Sequence, residues 1–204
     1  KSIETKIGVD ASGFSTSRFD RWFSQVYGKQ IKYRNWIKCH IAVGTTTNIV
    51  TDVVVTRQFK HDSQYLPELI KNTADNFKVE EVLADKGYSS REIMNSIEEI
   101  GATAYIPFKK NVQINTRANG SAMWKKMHYF FLYKHEEFLQ HYHKRSNVET
   151  AFHMIKTKFG DSVKSKLQQS QLNEVLLKIL AHNICVLIQE MFELGIDTRF
   201  NDGK

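Results

Sequence analysis

The chain has 204 residues, 41% hydrophobic and 25% charged, with 29 Lys plus Arg against 22 Asp plus Glu for a formal net charge of +7. With 2 Pro and 10 Gly, the balance excludes disordered, collagen-like and linker-rich chains, and the length supports one domain that buries a sizeable core without staples. Two cysteines, Cys39 and Cys185, make no disulfide framework and suit a reducing compartment, and no signal peptide is legible. The chain opens at Lys1 and enters a strand-like segment almost at once, the pattern expected of a fragment of a longer protein.

Taken in chain order, Ile3–Gly13 predicts a strand ending in Asp10-Ala-Ser-Gly13, and Asn35–Thr45 with Ile49–Phe59 predicts a hairpin through Thr46, Thr47 and Asn48. The period then changes. Asp62–Phe77 has Leu66, Leu69, Ile70 and Ala74 at helical spacing, with Asp62 and Ser63 as cap candidates. Glu80–Ala84 predicts a short strand running into Asp85-Lys-Gly-Tyr88. A helix capped by Ser89 or Ser90 runs to Ile100 and stops at Gly101, and Ala102–Phe108 is a further strand. Glu137–Phe159 and Gln171–Phe192 read as helices, the second apolar on most sides and so expected to be buried. Its Glu174, Lys178, His182, Asn183 and Glu190 argue against a membrane span, and no membrane partner is expected.

Three strands followed by helix, strand, helix, strand and further helices predict an α/β domain: a mixed five-stranded sheet with helices on both faces. The whole of 1–204 reads as one domain, with 107–136 as a basic, aromatic insertion. In that insertion Lys109, Lys110, Arg117, Lys125, Lys126 and Lys134 meet no Asp or Glu before His135, and Trp124, Tyr129, Phe130, Phe131 and Tyr133 interleave with them. Such a stretch suits a nucleic-acid backbone and its bases, and it equally describes a solvated lysine surface beside an aromatic core.

In open sheets of this kind, sites lie at the carboxyl ends of strands, where Asp10 and Asp85 both fall. Either aspartate alone is an ordinary turn element. A third feature alters the balance. Tyr142, Arg145, Glu149 and Lys156 lie at offsets that place them within roughly one 60° sector of a helix. An aromatic, two cations and a carboxylate thus share a stripe, although Arg145 and Glu149 could also be a simple i,i+4 ion pair.

The spacing Tyr-x2-Arg-x3-Glu-x6-Lys resembles the signature of a group of prokaryotic insertion-sequence DDE transposases. Val9-Asp10-Ala-Ser-Gly13 resembles the family's first-aspartate strand, and Leu83-Ala84-Asp85-Lys-Gly87-Tyr88 its second-aspartate motif, over a resemblance running from about Ile3 to Phe192. The resemblance implies a ribonuclease-H-like catalytic core with Asp10, Asp85 and Glu149 as catalytic residues and ligands of two Mg²⁺ ions, for which Mn²⁺ can substitute. It implies DNA contacts from Tyr142, Arg145 and Lys156, with Lys109, Lys110, Lys125 and Lys126 as further contacts in the basic stretch. The implied activity is nicking of transposon ends and transfer of the 3′-hydroxyl into target DNA by a homodimer on double-stranded DNA, in a prokaryotic cytoplasm and at the nucleoid. The alternatives are a nuclease or resolvase that only hydrolyses DNA, and a non-catalytic DNA-binding relative. Family members usually carry an N-terminal DNA-binding region, which is expected to be missing here. Asp20, Asp52 and Asp62 read as turn, strand-edge and cap residues, Cys39-His40 is too short for a zinc site, and His153 reads as a surface residue.

Overall fold

Alternation of apolar and polar residues in the first half produces three strands: β1 (Lys6–Ser15), β2 (Trp36–Gly44) and β3 (Val50–Arg57). The computed structural model describes residues 3–16, 26, 28, 36–57, 61–109, 112, 122–193 and 195. Helix α1 (Leu66–Asn76) leads to β4 (Glu81–Ala84), and α2 (Arg91–Glu99) leads to β5 (Thr103–Tyr105). Four helices follow: α3 (Ala122–Tyr133), α4 (His135–Tyr142), α5 (Ser146–Phe159) and α6 (Gln168–Glu193).

The five strands form one mixed sheet in the order β3-β2-β1-β4-β5. β1 is antiparallel to β2, and β2 to β3, while β4 is parallel to both β1 and β5. This is the expected ribonuclease-H-like arrangement. The helical crossovers through α1 and α2 return the chain parallel to where it left, as such connections do.

The period-2 alternation of β1 sorts two cores onto opposite sheet faces. Ile7 and Val9 face α1 and α2, where Leu66, Leu69, Ile70, Ile93, Met94 and Ile97 close the first core. Phe14, with Ile37, Cys39 and Ile41 on β2, packs against Val148, Phe152 and Ile155 of α5 and Val175 and Ile179 of α6. Gly8, Asp10 and Ser12 share that second face by alternation, so Asp10 looks toward α5. Val9 pairs with Ala84, so Asp10 and Asp85 emerge side by side just beyond the last parallel pair.

Several local expectations hold. The hairpin turn carries Asn48 at φ 63, and the buried Glu4 carboxylate accepts the amides of Thr46 and Thr47 at 3.1 and 2.6 Å. Ser90 caps α2 by accepting the Ile93 amide at 3.2 Å, and Gly101 ends it at φ 76. Others do not hold. Asp62 caps no helix: it pairs with Lys38 at 2.5 Å and lies 3.6 Å from His40 Nδ1. The single helix expected over Glu137–Phe159 is two, joined through a 3-10 turn at His143–Arg145. Helix α6 is not buried all round: Val175, Ile179, His182 and Val186 are buried, but Leu177, Leu180, Ile184 and Leu187 stay about half exposed. By length and composition α6 could cross a membrane. Its polar residues nonetheless serve the domain: Lys178 donates to the carbonyls of Phe159, Gly160 and Ser162, and the Asn183 side chain bonds both backbone groups of Val50.

His40 makes the fold acid-sensitive. It is fully buried on β2, 3.1 Å from Thr56 Oγ1 and tilted on the Tyr65 ring at 4.3 Å, and burial pushes its pKa down to about 4. The folded value lies below the unfolded one, so nothing is lost above about pH 6.5. Below that the unfolded chain takes up a proton the fold refuses, and stability falls down to about pH 4 at up to ~1.4 kcal/mol per unit. His128 and His182 are also held low by burial and share the effect. Urea denaturation of His40→Gln should show a shallower acid limb than the parent chain; an equally steep limb would assign the effect to the other histidines.

Candidate active site

Helix α5 reaches the aspartates because of one missing side chain. A Cβ on Gly8 would collide with the Val148 side chain, so α5 lies closer over β1 than any other residue would allow. The Asn147 side chain donates to the Thr45 carbonyl and pins the first turn of α5 to the hairpin. Glu149, two residues on, is thereby carried over β1 in the first turn of α5, where the helix dipole favours a carboxylate.

The joint between the carboxylates is Arg145. From the 3-10 turn its Nη1 donates to Asp10 Oδ2 at 3.1 Å and its Nη2 to Glu149 Oε1, while its guanidinium lies 5.8 Å from the centre of the Tyr142 ring. Its side chain is only 17% exposed. Burial alone would lower the pKa of this group, but Tyr142, Asp10 and Glu149 outweigh it and hold the cation charged. Asp10 is shifted upward: burial dominates, the Ala11 amide and Arg145 offset it in part, and the charges of Glu149 and Asp85 add to the rise. Asp10 therefore senses the charges of both other acids. Asp85 itself accepts the Lys86 amide at 2.7 Å.

The other predicted residues fall into two groups. Tyr142, Arg145 and Glu149 lie together as their spacing implies, although the 3-10 turn rather than a continuous helix sets the first step, and Asp10 joins them through Arg145, a contact no spacing foretells. Lys156 turns inward: its Nζ donates to Ser12 Oγ at 2.6 Å and lies 5.4 and 6.0 Å from the Phe14 and Phe152 ring centres, and burial lowers its pKa. Since Ser12 follows Asp10 on the same strand face, the cation remains at the edge of the site. Lys109 is exposed and, with Asp85, Lys86, Phe108, His128 and Phe131, lines a cleft of about 770 Å³. Lys125 and Lys126, half-buried and exposed, ride on α3; Lys110 and Arg117 lie outside the described residues. The interleaved aromatics mostly serve packing: Trp124 is buried, Phe130 and Phe131 pack on the core, and only Tyr129 and Tyr133 are exposed among those described.

Some residues that shape the site carry no local signal. His141 Nδ1 lies 3.0 Å from Glu81 Oε2, its ring stacks on Tyr105 at 4.3 Å, and Lys6 bonds the other Glu81 oxygen at 2.6 Å. Burial alone would raise the Glu81 carboxyl, but the bonds from Lys6 and His141 hold it below the usual range. This cluster ties α4, and so Tyr142, to the start of β1 and β4. Ser12 could have been found from its two-residue step beyond Asp10. The Tyr88 hydroxyl, buried near Asp10 and Asp85, is pushed well up by burial and by their charges.

Two strand-end aspartates, a helix-borne glutamate and a guanidinium bonded to Asp10 and Glu149 thus come together on a sheet of ribonuclease-H-like order. The chain matches the transposase DDE domain family over residues 2–184 and belongs to that family. It is the catalytic core of a DNA transposase, an enzyme of DNA cleavage and strand transfer. In shape it is similar to the catalytic core domain of BIV integrase, with TM-score 0.46 and 10% identity over 94% of this chain and 99% of that one. It is also similar to a chain of a simian T-cell lymphotropic virus intasome in complex with PP2A regulatory subunit B56 gamma, with TM-score 0.41 and 9% identity over 87% of this chain and 48% of that one. The assignment rests on the family match.

The bridging role of Arg145 is measurable without DNA. Arg145→Ala leaves Asp10 half-buried against two other carboxylates, so thermal denaturation in EDTA should show a loss of about 1–3 kcal/mol. A loss of only ~0.3–0.5 kcal/mol would reduce Arg145 to an ordinary i,i+4 partner of Glu149.

Proposed function

We propose that Asp10, Asp85 and Glu149 hold the divalent ions of a transposase of the insertion-sequence group with the Tyr-Arg-Glu-Lys tetrad, nicking element ends and joining the 3′-hydroxyl to target DNA. The observation that carries this reading is the Arg145 cation, embraced by Asp10 and Glu149, with Asp85 close enough to raise the Asp10 pKa. Among the described residues no three His, Cys, Asp or Glu side chains are gathered as a ready metal cage. The donor set still fits: it is all carboxylate oxygen, the preference of a hard cation, and two of its members already share a positive charge. Mg²⁺, with Mn²⁺ able to replace it, would supply neutralisation of charge at the scissile phosphate and acidify the attacking water or 3′-hydroxyl.

The chain's own cations then acquire roles. Arg145, released from the carboxylates, is placed to grip a phosphate oxygen by its planar fork, and Tyr142 supports it from the ring face. Lys156 holds Ser12 beside Asp10 and offers a point charge at the same edge. Lys109, Lys125, Lys126 and Lys110, the last outside the described residues, contribute sequence-independent contacts, with Lys109 in the cleft that opens from Asp85. Because two element ends are joined in one event, the working form is a homodimer on double-stranded DNA, in the cytoplasm of a prokaryote.

Replacing Asp10, Asp85 or Glu149 by Ala should abolish Mg²⁺-dependent cleavage of an end-bearing DNA by several orders of magnitude in folded protein. The same variants should lose the rise in melting temperature that Mg²⁺ gives the parent chain. Near-normal cleavage by folded Glu149→Ala would sink the assignment. Charge reversal of Lys109, Lys125 and Lys126 should weaken binding of all DNA sequences alike and flatten the salt dependence by roughly 0.9 log–log units per lost phosphate contact. An unchanged slope would return these lysines to a solvated surface.

A further inference from the structure

The hydrogen bond between Lys156 and Ser12 has a forced direction. An ammonium carries three donors and no lone pair, so Lys156 Nζ donates and Ser12 Oγ accepts, at 2.6 Å. The hydroxyl is left with its own proton to place. Among the described residues it makes no second hydrogen bond. Across the antiparallel pair stands Cys39, a buried thiol that burial pushes up to about 12 and so keeps uncharged. Along β1, Asp10 lies about 7 Å away by the rise of two strand residues. Its two carboxylate oxygens already accept the Ala11 amide and Arg145.

The lysine is as incompletely served as the hydroxyl. Its ammonium lies 5.4 and 6.0 Å from the centres of the Phe14 and Phe152 rings and forms no salt bridge among the described residues. Burial lowers its pKa, and the charge of Asp161 offsets that only in part, so the cation gains from an anion brought to its edge of the site. Ser12 is half-buried on the face of β1 that carries Asp10, and is therefore within reach of a ligand there. A hydroxyl with only a proton to offer, backed by an uncompensated cation, calls for an anion that accepts and does not donate. The non-bridging oxygens of a phosphodiester have that chemistry.

We propose that Ser12 is a substrate-contacting residue whose hydroxyl donates to a non-bridging oxygen of a DNA phosphate, with Lys156 as a positioning residue that acts through Ser12 rather than by touching DNA. The proposal rests on the phosphodiester reading of the site and adds to it a donor that the three acids and Arg145 do not supply.

Binding and cleavage of an end-bearing duplex by the full chain, with melting temperature in EDTA as the fold control, separate a contact from a brace. Ser12→Ala should lower the cleavage rate ~10–100-fold, the scale of one lost hydrogen bond to a charged group, and should also cost stability by stranding the ammonium. The decisive variant is Ser12→Ala/Lys156→Met, which replaces both partners by apolar groups between the two rings and should melt as the parent does. A brace would be rescued by this pair of changes. A contact is not, so the folded double variant should stay as slow as Ser12→Ala, and Ser12→Thr, which keeps the hydroxyl at a strand position, should return most of the rate. A double variant whose two losses multiply gives Lys156 a DNA contact of its own and overturns its positioning role. Parent-like binding and cleavage by the double variant overturn the proposal and leave the Asp10, Asp85 and Glu149 reading standing. A parent chain that binds the duplex in Ca²⁺ but does not cleave it in Mg²⁺ tells against that reading alone. The contact is then read from binding, where the double variant should be ~10-fold weaker than the parent and an equal affinity overturns it. A parent chain that binds no duplex overturns both.

Discussion

The site depends on a contact between a helix and a strand that has no side chain to keep them apart. Val148 occupies the space a Cβ on Gly8 would need, so α5 settles onto β1 at a distance only glycine permits. Because Glu149 follows Val148 and Asp10 lies two residues beyond Gly8 on the same strand face, that contact fixes the relation of the two carboxylates. Ala151, Phe152 and Ile155 continue the seam along α5 into the second core, so the positioning of Glu149 is backed by buried packing rather than by the polar groups it serves.

Around that seam the charges are arranged to compensate one another. Asp10, Asp85 and Glu149 would repel if left alone, and the rise in the Asp10 pKa registers both that repulsion and the cost of burial. Arg145 offsets it by bonding two of the three. A site with this balance favours a cation among its acids and anions among its bases. The proposed reading asks for that balance: carboxylates that would take up positive charge and cations that would meet phosphate. Lys156, held on Ser12 between two aromatic rings, keeps a second positive charge close by without competing for the carboxylates.

The elements outside the seam divide the remaining work. Glu81, Lys6, His141 and Tyr105 bind α4 to the strand starts, and Phe138 buries its middle, so the 3-10 turn that aims Arg145 hangs from a fixed support. Helix α6 braces the other side of α5 through Val175 and Ile179, and its Lys178 collects three carbonyls left after α5 ends at Gly160. Burying one ammonium in this way is tolerable because every donor finds an acceptor.

Much of this was legible in the sequence, for a physical reason in each case. The strands and their succession along the chain follow from period-2 alternation and the switch to helical spacing after Asp62, both local properties of the chain. Asp10 and Asp85 were placed by their position at strand ends, and Tyr142, Arg145, Glu149 by spacing on a helical stretch. What the sequence could not decide was long-range. The partition of Trp124, Phe130 and Phe131 into a core, the inward turn of Lys156 to Ser12, and the Glu81–His141 anchor all join residues far apart in the chain, and periodicity carries no information about which side chain meets which. The same limit explains α6: its composition reads as apolar on most sides, but only the sheet it packs against decides that Val175 and Ile179 are covered while Leu177 and Leu180 are not. Arg145 makes the division plain. Its pairing with Glu149 is a four-residue local rule, whereas its bond to Asp10 exists only because Gly8 lets a helix lie against a strand.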